Sequence, residues 1–318
     1  MTDIATATVA APARWQDYVQ LLKPRVMSLV VFTAATGLVC ARTPMNPFLA
    51  VIAVFCIAVG AGASGALNMG FDSDIDGLMR RTRNRPVPSG RVQRSDALAL
   101  GVILSLFSVG LMALATNLVA AGLLAFTIFF YAVVYTLWLK RSTSQNIVIG
   151  GLAGALPPVI GWAAASGTTP LNAWLLCAII FFWTPPHFWA LSLYTQEDYA
   201  KAGVPMLPVV KGAAATRRAI LAYSLVIAAL ALVPALTGLG GLLYLILAGL
   251  GGAVFIALAF RLWASKAGDI PAGASGLYDV KANAKDARNL FAFSILYLFC
   301  LFAGLLAERF VGLPPLVG

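Results

Sequence analysis

Charge is scarce in this chain: of 318 residues only 11% are charged, with 12 acids against 22 lysines and arginines. A soluble domain carries about 25% charged residues, so there is too little polar surface here to coat a globule of this size. That excludes one or two soluble domains. A disordered chain is excluded as well, since it needs the opposite balance of charge and hydrophobicity. There is one histidine, His187, which leaves no material for a histidine-rich metal centre. The four cysteines, Cys40, Cys56, Cys177 and Cys300, lie inside apolar runs at no metal or redox spacing. They read as reduced packing residues and rule out a disulfide scaffold. The first 20 residues lack a basic segment followed by an apolar one, so no cleaved signal is expected and the first apolar run is a retained span.

What the chain has in abundance is apolar sequence, 60% of all residues, at a mean hydropathy of +0.88. A bilayer-crossing helix needs about 20 mostly apolar residues. By that measure nine spans are predicted, at roughly 21–41, 48–71, 96–116, 118–138, 145–166, 172–195, 218–237, 241–263 and 288–308. The expected class is an all-α polytopic membrane protein, with a tail over 1–20 and one intramembrane domain over 21–318. Pro157-Pro158 and Pro185-Pro186 fall deep inside the fifth and sixth spans, where a kink or break is expected. With the N-terminus in the cytoplasm, every basic residue except Arg42 and Arg309 falls in or beside a cytoplasmic segment. Such an asymmetry sets the orientation as N-inside. It also accounts for the net charge of +10 without nucleic acid.

Five of the acids cluster at the cytoplasmic mouths of spans two and six: Asp72, Asp74, Asp76, Glu197 and Asp198. Asn68, Asp72 and Asp76 are spaced i, i+4, i+8, an arc of about 80° on a helix. Like charges one turn apart at a membrane boundary repel each other, and partial burial adds to the cost. A bound hard cation removes both penalties, and Mg²⁺ commonly bridges protein carboxylates to substrate phosphates. Asp74 points elsewhere and is free to pair with the arginines that follow. These are Arg80, Arg81, Arg83 and Arg85, then Arg91 and Arg94; the guanidinium fork matches phosphate oxygens. The plainer reading of that run is an orientation signal touching anionic lipid headgroups.

Span six ends in a facing stripe in which His187, Tyr194 and Asp198, spaced i, i+7, i+11, lie within about 40° of one another on a continuous helix. Gly203 to Lys211 then reads as a turn-rich basic loop. The expected cytoplasmic active-site loops are therefore about 72–95 and 196–217. Lys23-Pro24-Arg25 before span one and Lys140-Arg141 after span four face the same side, the latter with Tyr131, Tyr135 and Asn146 nearby. Together they complete a cationic rim. Two stripes four helices apart suggest a duplicated four-helix unit whose halves face each other, plus a ninth helix. A transporter also uses broken helices and repeats, but places its polar residues near the midplane rather than at one mouth.

On these residues the chain resembles the UbiA-type intramembrane prenyltransferases, which carry an Asn-x-x-x-Asp-x-x-x-Asp motif after the second helix. Thr184-Pro-Pro-His187-Phe-Trp189 and Asp198-Tyr-x-x-x-Gly203-x-Pro205-Met206-Leu-Pro208 resemble the haem-modifying branch of that family. So do the arginines from Arg80 to Arg85. His187 and Tyr194 stand where the wider family has aspartates. The resemblance implies farnesyl diphosphate and haem B as substrates, Mg²⁺ as cofactor, haem O and diphosphate as products, and a bacterial inner membrane with lipid around the chain. It implies terminal-oxidase assembly partners too. By the same resemblance Asn68, Asp72 and Asp76 hold Mg²⁺–diphosphate, with Asp198 supporting from the facing helix. Lys23, Arg25, Arg81, Arg85 and Lys140 are the expected diphosphate contacts. His187 orients or ligates haem, or replaces a motif acid, and Tyr194 shares its stripe. The alternative acceptor is an aromatic acid or quinone precursor.

Overall fold

Proline and asparagine mark where the long helices begin. The computed structural model describes residues 13–269 and 284–317, and within them there are helices and no strands. Residues 1–12 of the expected tail and 270–283 of the last cytoplasmic loop lie outside the described residues. We number the helices α1 (Trp15–Leu21), α2 (Pro24–Cys40), α3 (Pro47–Phe71), α4 (Ser73–Leu78), α5 (Arg94–Ala115) and α6 (Leu118–Ser142). These are followed by α7 (Asn146–Ser166), α8 (Leu171–Leu193), α9 (Gln196–Lys201), α10 (Leu207–Leu236), α11 (Leu242–Ala264) and α12 (Lys285–Val311). Pro24 and Pro47 open α2 and α3, where the missing N–H would have had no helical partner. Asn46 caps α3 by accepting from the Phe48 amide at 2.9 Å, and Asn117 caps α6 by accepting from Ala120 N at 2.9 Å.

Among the described residues eight helices are long and apolar enough to cross a membrane, and the pair α1–α2, bent by 49°, makes a ninth when counted as one span. The chain is a multi-pass membrane protein, and the predicted spans hold, with two corrections. The helix that carries the seventh span begins at Leu207, ahead of the expected 218, so part of the expected basic loop is helical up to Gly212, whose φ of 79° breaks the run. Pro208 in its first turn is what permits the early start. The second correction concerns the proline pairs. Pro157-Pro158 does divide α7, which runs as Asn146–Ala155 and Pro157–Ser166. Pro185-Pro186, by contrast, sits inside an unbroken α8. There the flanking side chains are tied down: Thr184 Oγ1 donates to Ile180 O at 2.7 Å and Trp183 Nε1 to Ser294 O at 2.7 Å. The first bond lies within α8 and the second ties it to α12; bonds of both kinds let a membrane helix carry proline without breaking.

The helices close into a ring. Helix α2 packs on α3, α7 and α12; α3 packs on α5, α8 on α10 and α12, and α11 on α10 and α12. The first helices of the two expected halves, α2 and α7, thus cross each other, and the α3–α5 pair is matched by α8–α10. The α2–α7 crossing is close because both partners have glycine there. A Cβ on Gly37 would lie 2.1 Å from Pro158 O, and one on Gly161 would lie 2.0 Å from Ala34 O. Small residues allow such approach where no hydrophobic force separates helix from lipid.

Candidate active site

Helix α3 carries the acid motif to the mouth of the ring. Its last residues turn without losing register. Asp72 has left helical geometry (φ −90°, ψ 7°), yet its amide still donates to Asn68 O at 2.9 Å, and Asp76 N donates to Asp72 O at 2.8 Å. The expected stripe therefore survives a break in the helix. All three side chains are buried, Asp72 completely.

Burial of two carboxylates side by side demands counter-charge, and the chain supplies it residue by residue. Lys23 Nζ donates to Asn68 Oδ1 at 2.6 Å, Lys140 Nζ to Asp72 Oδ2 at 2.5 Å, and Arg85 Nη1 to Asp76 Oδ2 at 2.7 Å. Asn68 Nδ2 in turn donates to Asp72 Oδ2 at 2.8 Å and to Thr136 Oγ1 at 3.0 Å. Lys23 reaches this place from the α1–α2 bend, in a left-handed backbone conformation (φ 51°, ψ 54°) unusual for a side-chain-bearing residue. The bend rests on two glycines of α3, Gly62 against Leu22 and Gly65 against the Leu21 carbonyl, where a Cβ would come within 3.3 and 3.1 Å.

Lys140 and Thr136 come from α6, whose segment Phe130–Leu139 winds as a π-helix. Such wide turns are frequent at functional sites. Here Thr136 Oγ1 donates back to Tyr131 O, five residues earlier, at 2.8 Å. Asp74 lies off the stripe as expected, but its partner is Arg141, not one of the adjacent arginines. The guanidinium donates to both Asp74 oxygens at 2.7 and 2.8 Å and to Phe71 O at 3.1 Å. That fork holds the Asp74 carboxyl down to about 2. A depressed carboxylate stabilises the fold above its unfolded value, near 3.8, and the contribution is lost as pH falls through about 2. Fluorescence or melting followed from pH 8 to 5 is therefore expected to show no transition from this pair, and Asp74→Asn should not change that profile.

The second stripe is not continuous. Helix α8 ends at Leu193, and Asp198 belongs to the separate short helix α9, so the i, i+11 relation expected for an unbroken helix does not apply. Asp198 Oδ1 accepts from the Arg80 amide at 3.3 Å, which fastens the second motif to the loop after the first. His187 is stacked between Trp183 and Phe291, at ring distances of 4.2 and 4.5 Å, with Nδ1 2.7 Å from Ser294 Oγ. Tyr194 meets the edge of Phe291 and the Arg288 guanidinium, which lies 5.6 Å from its ring centre. Burial pushes its hydroxyl above the usual range, against the pull of Arg288 and Arg81. His187 and Tyr194 thus both lean on α12. Arg81 and Arg25 are exposed at the mouth.

Sequence reading missed Thr136 and the role of Arg141, and gave Asn146 only a passing place. Asn146 is fully buried, and neither of its amide atoms has a hydrogen-bond partner. An unbonded buried amide costs about 1–3 kcal/mol. Asn146→Leu is therefore expected to raise the melting temperature in detergent by a few degrees.

The donor set can be tested against a divalent cation. Asp72 Oδ1 is buried, accepts no hydrogen bond, and has Arg141 Nη2 3.6 Å away. A carboxylate oxygen without a donor, next to a second carboxylate and an amide oxygen, suits Mg²⁺, which keeps waters and shares phosphate oxygens. It does not make an all-protein cage: among the described residues no three His, Cys, Asp or Glu side chains converge. Asp198 stays with the Arg80 loop. The residues present fit the cation as a bridge to phosphate.

With this geometry in place, the likeness to known proteins is specific. Residues 30–277 match the UbiA prenyltransferase family, and the chain belongs to it. It is a prenyltransferase. A Caulobacter vibrioides protein called protoheme IX farnesyltransferase is 69% identical over 312 residues, covering 96% of this chain and 94% of its own length. Among solved structures, a digeranylgeranylglyceryl phosphate synthase has a TM-score of 0.72 at 17% identity, covering 92% of this chain and 98% of its own. A UbiA homologue from Archaeoglobus fulgidus, bound to GPP and Mg²⁺, has a TM-score of 0.64 at 16% identity, covering 89% and 99%. At those identities the structural likeness concerns the fold.

Proposed function

We propose that the chain transfers a farnesyl group from farnesyl diphosphate to the vinyl group of haem B, with addition of water, giving haem O and diphosphate. The reading is carried by the near-full-length identity to the Caulobacter protein, taken with a buried acid pair ringed by lysine and arginine. Its setting is the bacterial inner membrane with the N-terminus in the cytoplasm, since nearly all the basic residues lie on the side of the acid motif. The whole of 21–318 forms the one catalytic unit, and haem O passes to the terminal-oxidase assembly machinery.

Asn68, Asp72 and Asp76 would hold Mg²⁺ on the diphosphate, with Asp198 steadying the neighbouring loop. When bound there, Mg²⁺ would supply charge neutralisation for the departing diphosphate. Lys23, Arg85 and Lys140 are close enough to the motif to take the remaining phosphate oxygens, and Arg25 and Arg81 extend the rim outward. Fixed positive groups aimed at developing negative charge are the strongest means such a site has of lowering the barrier. The terminal carbon of the haem vinyl group attacks carbon 1 of the farnesyl cation as the allylic carbon–oxygen bond to diphosphate breaks, and water then adds to the cation left on the inner vinyl carbon, losing its proton to the released diphosphate to leave a hydroxyl group. His187 and Tyr194, held on α12, line the acceptor side and orient the macrocycle.

The test is mass spectrometry of haem extracted after incubation of the purified chain with haem B, farnesyl diphosphate and Mg²⁺. A haem heavier by farnesyl plus water, absent when a chelator is added, is the expected product. Unchanged haem, with diphosphate released when an aromatic acceptor is supplied, overturns the acceptor and keeps the prenyl transfer.

A further inference from the structure

In the acid motif every oxygen-bearing side chain already has a cation of the chain's own. Lys23 sits on Asn68, Lys140 on Asp72 and Arg85 on Asp76, at 2.5–2.7 Å. They are also among the bases assigned above to the diphosphate. The same three positive groups therefore cannot serve both partners at once. We propose that these bases occupy the metal's place in the unliganded chain, so that divalent cation and diphosphate enter as a coupled pair. This rests on the reading that the motif binds a metal–diphosphate, and it adds how that binding is regulated.

Asp72 and Asp76 are buried and already neutralised, Asp72 by Lys140 with Arg141 3.6 Å away and Asp76 by Arg85, while Lys23 holds the neighbouring amide. A divalent cation arriving alone must push lysine off a carboxylate and leave positive charge in excess. A diphosphate arriving alone draws the bases away and leaves two carboxylates facing an anion. Arriving together, the metal takes the acids as the bases turn to phosphate, and no charge is left uncompensated. One feature makes the exchange feasible: Asp72 keeps Oδ1 free of hydrogen bonds, a first foothold for the metal. Coupling between sites is reciprocal, so each ligand must raise the affinity of the other by the same factor.

The signature is a pair of opposite changes in one variant. Binding of Mn²⁺ alone, a carboxylate-seeking stand-in for Mg²⁺, is measured on the full chain in detergent by electron paramagnetic resonance. Binding of inorganic diphosphate alone is measured by calorimetry with chelator present. Lys140→Met is expected to bind Mn²⁺ roughly tenfold more tightly than the unaltered chain and diphosphate roughly tenfold more weakly. Lys23→Met should show the same crossed pair to a lesser degree. Should Lys140→Met fail to fold, Lys23→Met alone decides the matter. Equal or weaker Mn²⁺ binding in a folded variant overturns the exchange. Mn²⁺ binding unaffected by Asp72→Asn overturns instead the metal reading beneath it. Neither assay contains haem, so a wrong acceptor assignment would leave both results standing.

Discussion

Asp72→Asn is expected to reduce product formation roughly 100-fold or more, the loss seen when one fixed charge-stabilising group is removed from an active site. The substitution keeps the shape of the side chain and removes its charge at the point where burial is complete. Lys140 then faces a neutral amide, and the hydrogen-bond-free Oδ1 loses the charge that would attract a cation. Since Asn68 and Thr136 still satisfy one another, the fold should stay, and melting temperature is the control that separates chemistry from collapse. A rate within twofold of the unaltered chain, measured as haem product by mass spectrometry, would exclude Asp72 from the diphosphate machinery.

The second large effect lies far from the acids. Gly161→Leu should yield no monodisperse protein from detergent, and Gly161→Ala should lower yield and melting temperature sharply. A Cβ at 2.0 Å from Ala34 O collides with backbone rather than with a side chain that can swing away. Relieving it means moving α2 off α7, and overpacking of even ordinary cores costs about 1–3 kcal/mol. Gly154→Ala on the same helix is the control, because nothing lies within 4 Å of a Cβ there. Equal loss in both variants would mean that helix flexibility, not the crossing, is what glycine provides.

The spans were readable from sequence because lipid permits few solutions: a run of about 20 apolar residues must be a helix. The acid stripe was readable for the same reason, since i, i+4, i+8 spacing survives even the distorted turn at Asp72. Its partners were not. Asp74 sits beside a run of arginines yet pairs with Arg141, 67 residues away, because α6 ends beside the turn that follows α3. Lys23 and Asn68 are 45 residues apart and meet only through the bend at α1–α2. Thr136 gave no signal at all, since a threonine in an apolar span reads as packing until a π-helical turn points it at the motif. The stripe from His187 to Asp198 was drawn on a helix assumed to continue. The chain leaves that helix at Tyr194, and no local residue pattern before Thr195 announces the turn.

Helix α12 closes the ring and lies far along the chain from the residues it supports. His187 finds Ser294 only when 107 further residues have been synthesised, and Phe291, shared by His187 and Tyr194, comes little earlier. During insertion the preceding spans must therefore wait in the bilayer with one side of the pocket open and the lone imidazole unsupported. The wall around His187 is therefore completed only once α12 is in place, and a chain truncated before α12 should insert up to that point yet leave His187 without Ser294 and Phe291.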